Sequence, residues 1–276
     1  MRTDRLRETL RRTPREPAAC ALVTGATGGI GEAFARELPH ETSLVLTGRD
    51  GEKLSALKEA LGPERTETVV ADLSTEEGID AVANAADGAG VDLLVNNAGL
   101  GEYGAFLDEN FNAHRTTVRV NVEAVLSLTH RLVPGMIERA DLSGRRAGLI
   151  NVSSSLAFFP VPTFATYAAS KAFILSFTES LSAELTDQPI DVLCACPGAV
   201  KTEFGARAGY RQGSFPGAMT PDKVAKGALA ALGRQRTVMI GPMSMAAFGP
   251  VAFARSAFGE AFMRASQVME RVQGRG

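Results

Sequence analysis

Tyr167 and Lys171 stand four residues apart in Tyr167-Ala168-Ala169-Ser170-Lys171, so on a helix the phenol and the ammonium share one face. A free phenol has a pKa near 10 and is almost wholly protonated at neutral pH. An ammonium about 4 Å away, at an effective dielectric of about 20, favours the phenolate by roughly 4 kcal/mol, or about three pKa units. Such a pair can give and take a proton near pH 7, as general acid–base catalysis requires. Ser153, Ser154 and Ser155 lie just upstream.

A proton device of this kind needs a scaffold, and the chain supplies alternating signals for one. Cys20-Ala21-Leu22-Val23 is an apolar run that ends in Thr24-Gly25-Ala26-Thr27-Gly28-Gly29-Ile30-Gly31, after which Ala33, Phe34 and Leu38 continue a helical pattern. Strand, glycine turn and helix hold a dinucleotide pyrophosphate: the glycines admit close backbone approach, and the helix start offers free N–H groups and a positive dipole end. The next strand, Ser43 to Thr47, ends at Gly48-Arg49-Asp50. An NAD site usually has an acidic residue there for the ribose hydroxyls. Gly48 leaves that place empty, and Arg49 can pair with a 2′-phosphate, which favours NADP with NAD as the alternative.

A helix is expected over roughly 50–61, then a strand Thr68–Ala71 with Asp72 at its end, placed either for an adenine edge or to begin the next helix. Val91–Val95 is a fourth strand, closing in Asn96-Asn97-Ala98-Gly99, whose amides could brace the sheet and line the crevice. A helix over roughly 107–135 carries Asn121 among β-branched apolar residues, where its amide needs a partner. A fifth strand, Ala147–Val152, delivers the serines. The helix of Tyr167 runs to about Leu185 with Phe173, Phe177 and Leu181 on an apolar stripe, and a sixth strand, Ile190–Cys196, ends at Pro197-Gly198. A helix over about 221–233, a strand over 236–241 and a C-terminal helix follow. Apolar strands alternating with helices indicate an α/β fold, one parallel, doubly wound sheet of about seven strands with helices on both faces.

Composition bounds the function. A net charge of −2 gives no electrostatic case for nucleic acid. The first sixteen residues are an exception, with six Arg, and read as a solvated basic arm (1–17) ahead of one domain over 18–276. Cys20, Cys194 and Cys196, two of them in one apolar run, read as reduced core thiols of a cytoplasmic protein. With His40, His114 and His130 scattered, no metal site is expected. Thr237–Ala254 is uncharged for eighteen residues, but Gly241, Pro242, Gly249 and Pro250 break it, so no transmembrane span is expected. Peripheral membrane contact stays open.

Taken together, these residues resemble the short-chain dehydrogenase/reductases, in the compact one-domain branch, over roughly residues 18–240. Gly25, Gly29 and Gly31 fit that branch's Thr-Gly-x-x-x-Gly-x-Gly pattern; Gly28 also fits the spacing of the extended branch, and chain length and Asn96-Asn97-Ala98-Gly99 decide for the compact one. The resemblance implies that Ser154, thirteen before the Tyr, orients a substrate carbonyl, with Ser153 and Ser155 as substitutes. It implies Tyr167 as proton donor and acceptor, Lys171 as the group lowering its pKa and binding the nicotinamide ribose, and Asn121 as holder of a relay water. The implied cofactor-binding set is Thr24, Gly25, Thr27, Gly28, Gly29, Ile30, Gly31, Arg49, Asp72, Leu73, Asn97, Ala98 and Gly99. Tyr167, Lys171, Pro197, Gly198, Val200 and Thr202 complete that set. Many NADP-using relatives carry a basic residue in the glycine turn where this chain has Gly28, so Arg49 would hold the phosphate alone.

The expected activity is hydride transfer between NADP(H) and a small-molecule carbonyl/alcohol pair. A non-catalytic cofactor-binding scaffold or sensor, and an isomerase or dehydratase of the same fold, are the alternatives. Residues 199–219 hold four glycines, Phe204, Tyr210 and Phe215 and read as a substrate lid. A C-terminal helical tail (242–272) carries Phe248, Phe253, Phe258 and Phe262. These aromatics point to an apolar carbonyl, or equally to core or subunit interface. The stripe on the Tyr167 helix could pair with a twin subunit in a homodimer or homotetramer.

Overall fold

In the computed structural model, residues 16–209 and 218–241 are described. Seven parallel strands form one sheet in the order β3-β2-β1-β4-β5-β6-β7. They are β1 (Cys20–Thr24), β2 (Ser43–Gly48), β3 (Thr66–Val70), β4 (Leu93–Asn96), β5 (Ala147–Val152), β6 (Ile190–Pro197) and β7 (Thr237–Ile240). Chain order reverses at β1, where β1 pairs with β2 on one side and β4 on the other. That switch point opens a crevice at the strands' carboxyl ends. The runs expected as strands are apolar on both faces because both are covered: β1, β4 and β5 are buried along their whole lengths.

On one face lie α1 (Gly29–Glu37), α2 (Gly51–Leu61) and, near the end of the described chain, α8 (Pro221–Ala231). Phe34, Leu54 and Val224 pack there with Ala21, Val23 and Leu46. The other face takes α3 (Glu76–Gly88), α5 (Ala124–Ser143) and α6 (Ala165–Glu184). Val82, Leu128, Leu132 and Met136 of α3 and α5 pack there against Leu22, Leu94 and Leu149. Each such side chain contributes about 1.5–3 kcal/mol relative to leaving it in water. A buried polar chain ties the sheet to α5 and α6. Asn96 Nδ2 donates to Asn151 Oδ1 at 2.9 Å and to Thr129 Oγ1 at 3.2 Å, and Asn151 Nδ2 donates to Thr178 Oγ1 at 3.0 Å.

Boundaries differ from the sequence reading where side chains decide them. The helix expected over 107–135 starts at Phe111 because Asn110 caps it, accepting from Asn112 N at 2.8 Å. It is α4 (Phe111–Val118), followed by a π-helical turn over Arg119–Glu123 that leads into α5. Nor does it stop at Pro134. Pro134 and His130, four residues before it, are both exposed, so the carbonyl that loses its donor faces solvent, while Leu132, Val133, Met136 and Ala140 hold both sides of the break in the core. Asp72 does not begin α3: Thr75 is the cap, accepting from Gly78 N at 3.0 Å. The basic arm apart from its last two residues, residues 210–217 of the expected lid and the expected tail lie outside the described residues. Among the described residues no helix is long and apolar enough to cross a membrane.

Candidate active site

The crevice at the switch point is a cavity of about 1120 Å³ running from the glycine turn to the aromatic rings over Tyr167. The turn is shaped by what its glycines exclude. Gly25 has φ 66°, and a Cβ there would lie 2.9 Å from Ala98 Cα. At Gly31 a Cβ would overlap the Gly25 carbonyl and come within 2.6 Å of Asn97 Nδ2, so α1 can sit this close to β1 only with glycine. Helix α1 has no side-chain cap at Gly28. Its first N–H groups are thereby left to an anion, which fits a pyrophosphate. Gly31→Val, which must push α1 off β1, is expected to weaken nicotinamide nucleotide affinity by at least about tenfold and to cost about 1–3 kcal/mol of stability. Calorimetric titration with NADPH and thermal unfolding check both.

Thr24 and Asn97 brace this turn from behind. Thr24 Oγ1 accepts from Asn97 N at 2.9 Å and from Ala98 N at 3.0 Å, and Asn97 Nδ2 donates to the Thr24 carbonyl at 2.9 Å. The two amides expected to share one duty therefore divide it: Asn96 braces the sheet, and Asn97 fixes the turn and lines the cavity. Thr24, Gly31 and Asn121 stand behind the cavity wall, while the other expected site residues line it.

At the end of β2, a Cβ on Gly48 would lie 2.5 Å from Thr27 Cγ2. The fold excludes a carboxylate side chain here by packing. Arg49 is exposed beside Asp72 on the cavity rim. The Ser74 N–H, with help from Arg49, holds the Asp72 carboxyl below its usual range.

The three serines separate by their bonds. Ser153 Oγ donates to the Lys171 carbonyl at 2.7 Å and is spent on holding α6. Ser154 Oγ accepts from Leu156 N at 3.1 Å, which leaves its O–H as a donor at the cavity wall. Ser155 opens the short 3₁₀ turn Ser155–Phe158. On α6, Tyr167 and Lys171 are both buried, with Lys171 Nζ 5.8 Å from the Tyr167 ring centroid and donating to the Val152 carbonyl at 2.9 Å. Burial pulls the Lys171 ammonium down from 10.5 to about 8. Asn121 sits in the π turn, so its side chain clamps the next loop: Oδ1 accepts from Leu100 N and Nδ2 donates to the Leu100 carbonyl, both at 2.8 Å. Nδ2 also donates to Ser170 Oγ at 2.9 Å.

The cysteines are buried and free, with Cys194 and Cys196 Sγ atoms 3.7 Å apart. Burial pushes the Cys20 thiol up to about 11 and holds the Cys194 thiol well above its usual value. Among the described residues no His, Cys, Asp or Glu cluster could hold a metal ion.

At the far end of the cavity only Phe204, in the expected lid, was legible in the sequence. Phe204 of α7 (Phe204–Arg207) packs on Tyr167 with centroids 5.2 Å apart, Phe164 lies 6.0 Å from Tyr167, and Tyr103 lies 5.1 Å from Phe164. Tyr103, Phe164 and the nearby Glu102 come from loops and helix ends without periodicity, where no sequence signal marks them. Segment 199–209 is tied down at its base by the Val200–Met219 bridge and reaches across to Tyr103 N through the Ala208 carbonyl.

A family model described as short chain dehydrogenase matches residues 19–212. The chain is 33% identical over 242 residues to dehydrogenase/reductase SDR family member 7B of Xenopus laevis, covering 81% of this chain and 73% of that protein. Among solved structures, a short-chain dehydrogenase from Sphingobium yanoikuyae in complex with NADPH superposes with a TM-score of 0.75 at 29% identity, over 88% of this chain and 94% of that one. The 3-ketoacyl-(acyl-carrier-protein) reductase from Brucella melitensis complexed with NADH gives 0.71 at 28% identity, over 81% and 96%.

Proposed function

This chain belongs to the short chain dehydrogenase family, an oxidoreductase acting on a CH–OH/C=O pair, and we propose that it uses NADP(H) to reduce an apolar ketone with Ser154, Tyr167 and Lys171 as its working groups. The observation carrying this is one continuous cavity that has the glycine turn and Arg49 at one end and Ser154, Tyr167 and Lys171 at the other.

When bound, the nicotinamide supplies the hydride. Gly25, Gly28, Gly29 and Ile30 would receive the pyrophosphate at the start of α1, with Asp72 and Leu73 toward the adenine. Ala98, Gly99, Pro197, Gly198, Val200 and Thr202 would flank the nicotinamide ribose and ring. In ketone reduction, the Ser154 hydroxyl donates to the carbonyl oxygen where negative charge develops, and Tyr167 donates the proton that completes the alcohol. Lys171, fixed on the Val152 carbonyl, holds positive charge beside the phenol. Asn121 acts through position, locking Leu100 and Ser170 so that the loop over Lys171 stays closed.

The screen that tests this offers a panel of ketones and alcohols with NADPH and NADH and follows nicotinamide absorbance. Turnover of ketones with NADPH is expected; none with either cofactor sinks the reading. Arg49 accounts for the NADP preference. Its guanidinium has no charge-assisted partner within hydrogen-bonding distance among the described residues, and one to a phosphate is worth about 1.5–3 kcal/mol. Arg49→Ala is therefore expected to raise the KM for NADPH by about ten- to a hundredfold and that for NADH by under about threefold. Equal effects on both would remove the phosphate-binding role.

We also read the protein as a cytoplasmic homo-oligomer, supported by its buried free thiols and by Phe173, 40% exposed and stacked on Phe177 at 6.1 Å on the outer side of α6. Sedimentation of the full chain, before and after Phe173→Asp, tests the assembly.

A further inference from the structure

We infer that Glu102 makes the substrate end of the cavity select by charge, admitting neutral and ammonium-bearing ketones and rejecting anionic ones. The inference rests on the reductase reading above. Charged side chains are unevenly spread along the cavity wall. Arg49 and Asp72 sit at the end of β2 and just beyond β3, and Lys171 sits behind Tyr167. Past the reaction centre the charged groups among the described lining residues are Glu102 and Glu109, with no Lys, Arg or His beside them in the wall.

Glu102 is held in place. One carboxylate oxygen accepts from the hydroxyl of the fully buried Thr117. The other, Oε2, is buried without a hydrogen-bond partner. The nearest basic nitrogen, His114 Nδ1, is 4.0 Å away, and it lies nearer to Thr166 Oγ1 at 3.0 Å. His114 Nε2 is taken up by the Phe106 carbonyl at 3.3 Å. The side chain is 15% exposed, and the residue is part of the cavity wall.

Its distance from the chemistry is short. Gly101, the residue before it, packs so closely that a Cβ there would lie 2.8 Å from Tyr167 Cδ2 and 2.9 Å from Phe204 Cζ. A carbonyl compound that reaches Tyr167 and fills the space under the rings of Tyr103, Phe164 and Phe204 shares that stretch of wall with Glu102. Ring faces carry negative quadrupole density and favour a cation over an anion. At about 7 Å and an effective dielectric of about 20–40, a second negative charge is disfavoured by about tenfold or more.

The test uses para-methyl-, para-aminomethyl- and para-carboxy-acetophenone, which share ketone and ring and differ in charge, at saturating NADPH. The expected kcat/KM for the carboxylate is at least about tenfold below that of the methyl compound, with the aminomethyl compound equal to or above it. Glu102→Gln, which keeps an acceptor for Thr117, should shrink the neutral-to-anion ratio by at least about threefold, and Glu102→Asp should retain it. A ratio near one in the unaltered protein, or a ratio that Glu102→Gln leaves in place, overturns the inference. Benzoate against benzamide as inhibitors of the unaltered protein reads the same selectivity without a variant: benzoate weaker by about tenfold is expected, and equal inhibition overturns it. Ketone turnover without charge discrimination sinks this inference alone, whereas absence of any ketone turnover sinks the reductase reading and this inference together.

Discussion

Tyr167→Phe is expected to lower ketone reduction by on the order of 10²–10⁴-fold while leaving the affinity for NADPH within about threefold. The substitution deletes one oxygen and little else. The ring that Phe retains still packs on Phe204 at 5.2 Å and on Phe164 at 6.0 Å, and still fills the space against Gly101. The glycine turn, Asn97 and Arg49 lie elsewhere along the cavity and keep their own supports. What disappears is the donor that protonates the oxygen as hydride arrives. The Ser154 hydroxyl can still hold that oxygen, but an alcohol is a far weaker acid than a phenol, so turnover falls and binding does not. The chain has no Trp, so affinity is best read from the fluorescence of NADPH itself, and turnover from its absorbance. Full activity in the variant would end the acid–base assignment, and equal loss of binding and turnover would make Tyr167 a structural residue.

The parts of this site that were legible in the sequence are those that repeat a local rule. A spacing of four positions from Tyr167 to Lys171 puts both on one helix face whatever the fold. Strands β1, β4 and β5 announce themselves as unbroken apolar runs because both sheet faces are covered. Glycines at 25 and 31 declare close approach, and the structure shows what they approach: Ala98, and the Gly25 carbonyl with Asn97. Other features depend on tertiary partners and leave no local trace. Nothing in Val118-Arg119-Val120-Asn121-Val122 marks a π turn, yet that extra residue in the helix aims Asn121 at Leu100 and Ser170. Ser154 and Ser153 are equivalent as letters and are separated by the Lys171 carbonyl, which takes Ser153. The helix expected to end near 135 runs on through Pro134 to Ser143 because the buried side chains on both sides of the proline hold it in the core. Glu102 reads as one more loop carboxylate until Thr117 folds beside it.

Lys171→Met separates catalysis from stability, because this side chain serves the first at the expense of the second. The ammonium is buried, and its drop from 10.5 to about 8 means that folding disfavours its charged form. The folded state therefore holds fewer protons than the unfolded state between about pH 8 and 10.5. Stability contributed by this group rises with pH through that window, and below about pH 8 the burial cost is present in full, about 3 kcal/mol. Met of similar length removes that cost and leaves the Val152 carbonyl without its 2.9 Å donor, at about 1–3 kcal/mol. At pH 7 the variant is thus expected to unfold at a temperature equal to or above that of the parent, and to lose this advantage as pH approaches 10. Its catalysis should fall by about 10²–10³-fold, since nothing then favours the phenolate over the phenol. In the parent, the Lys171 ammonium, held down to about 8 by burial, is the proton reserve behind Tyr167. Reduction, which consumes that proton, should decline above about pH 8, and oxidation of the matching alcohol should gain over the same range. Circular dichroism melts at two pH values and rate profiles in both directions test the two halves separately. A variant that melts much lower than the parent at pH 7 would show that Lys171 was kept for the fold, and a parent whose reduction rate ignores pH through this range would take the ammonium out of the proton path.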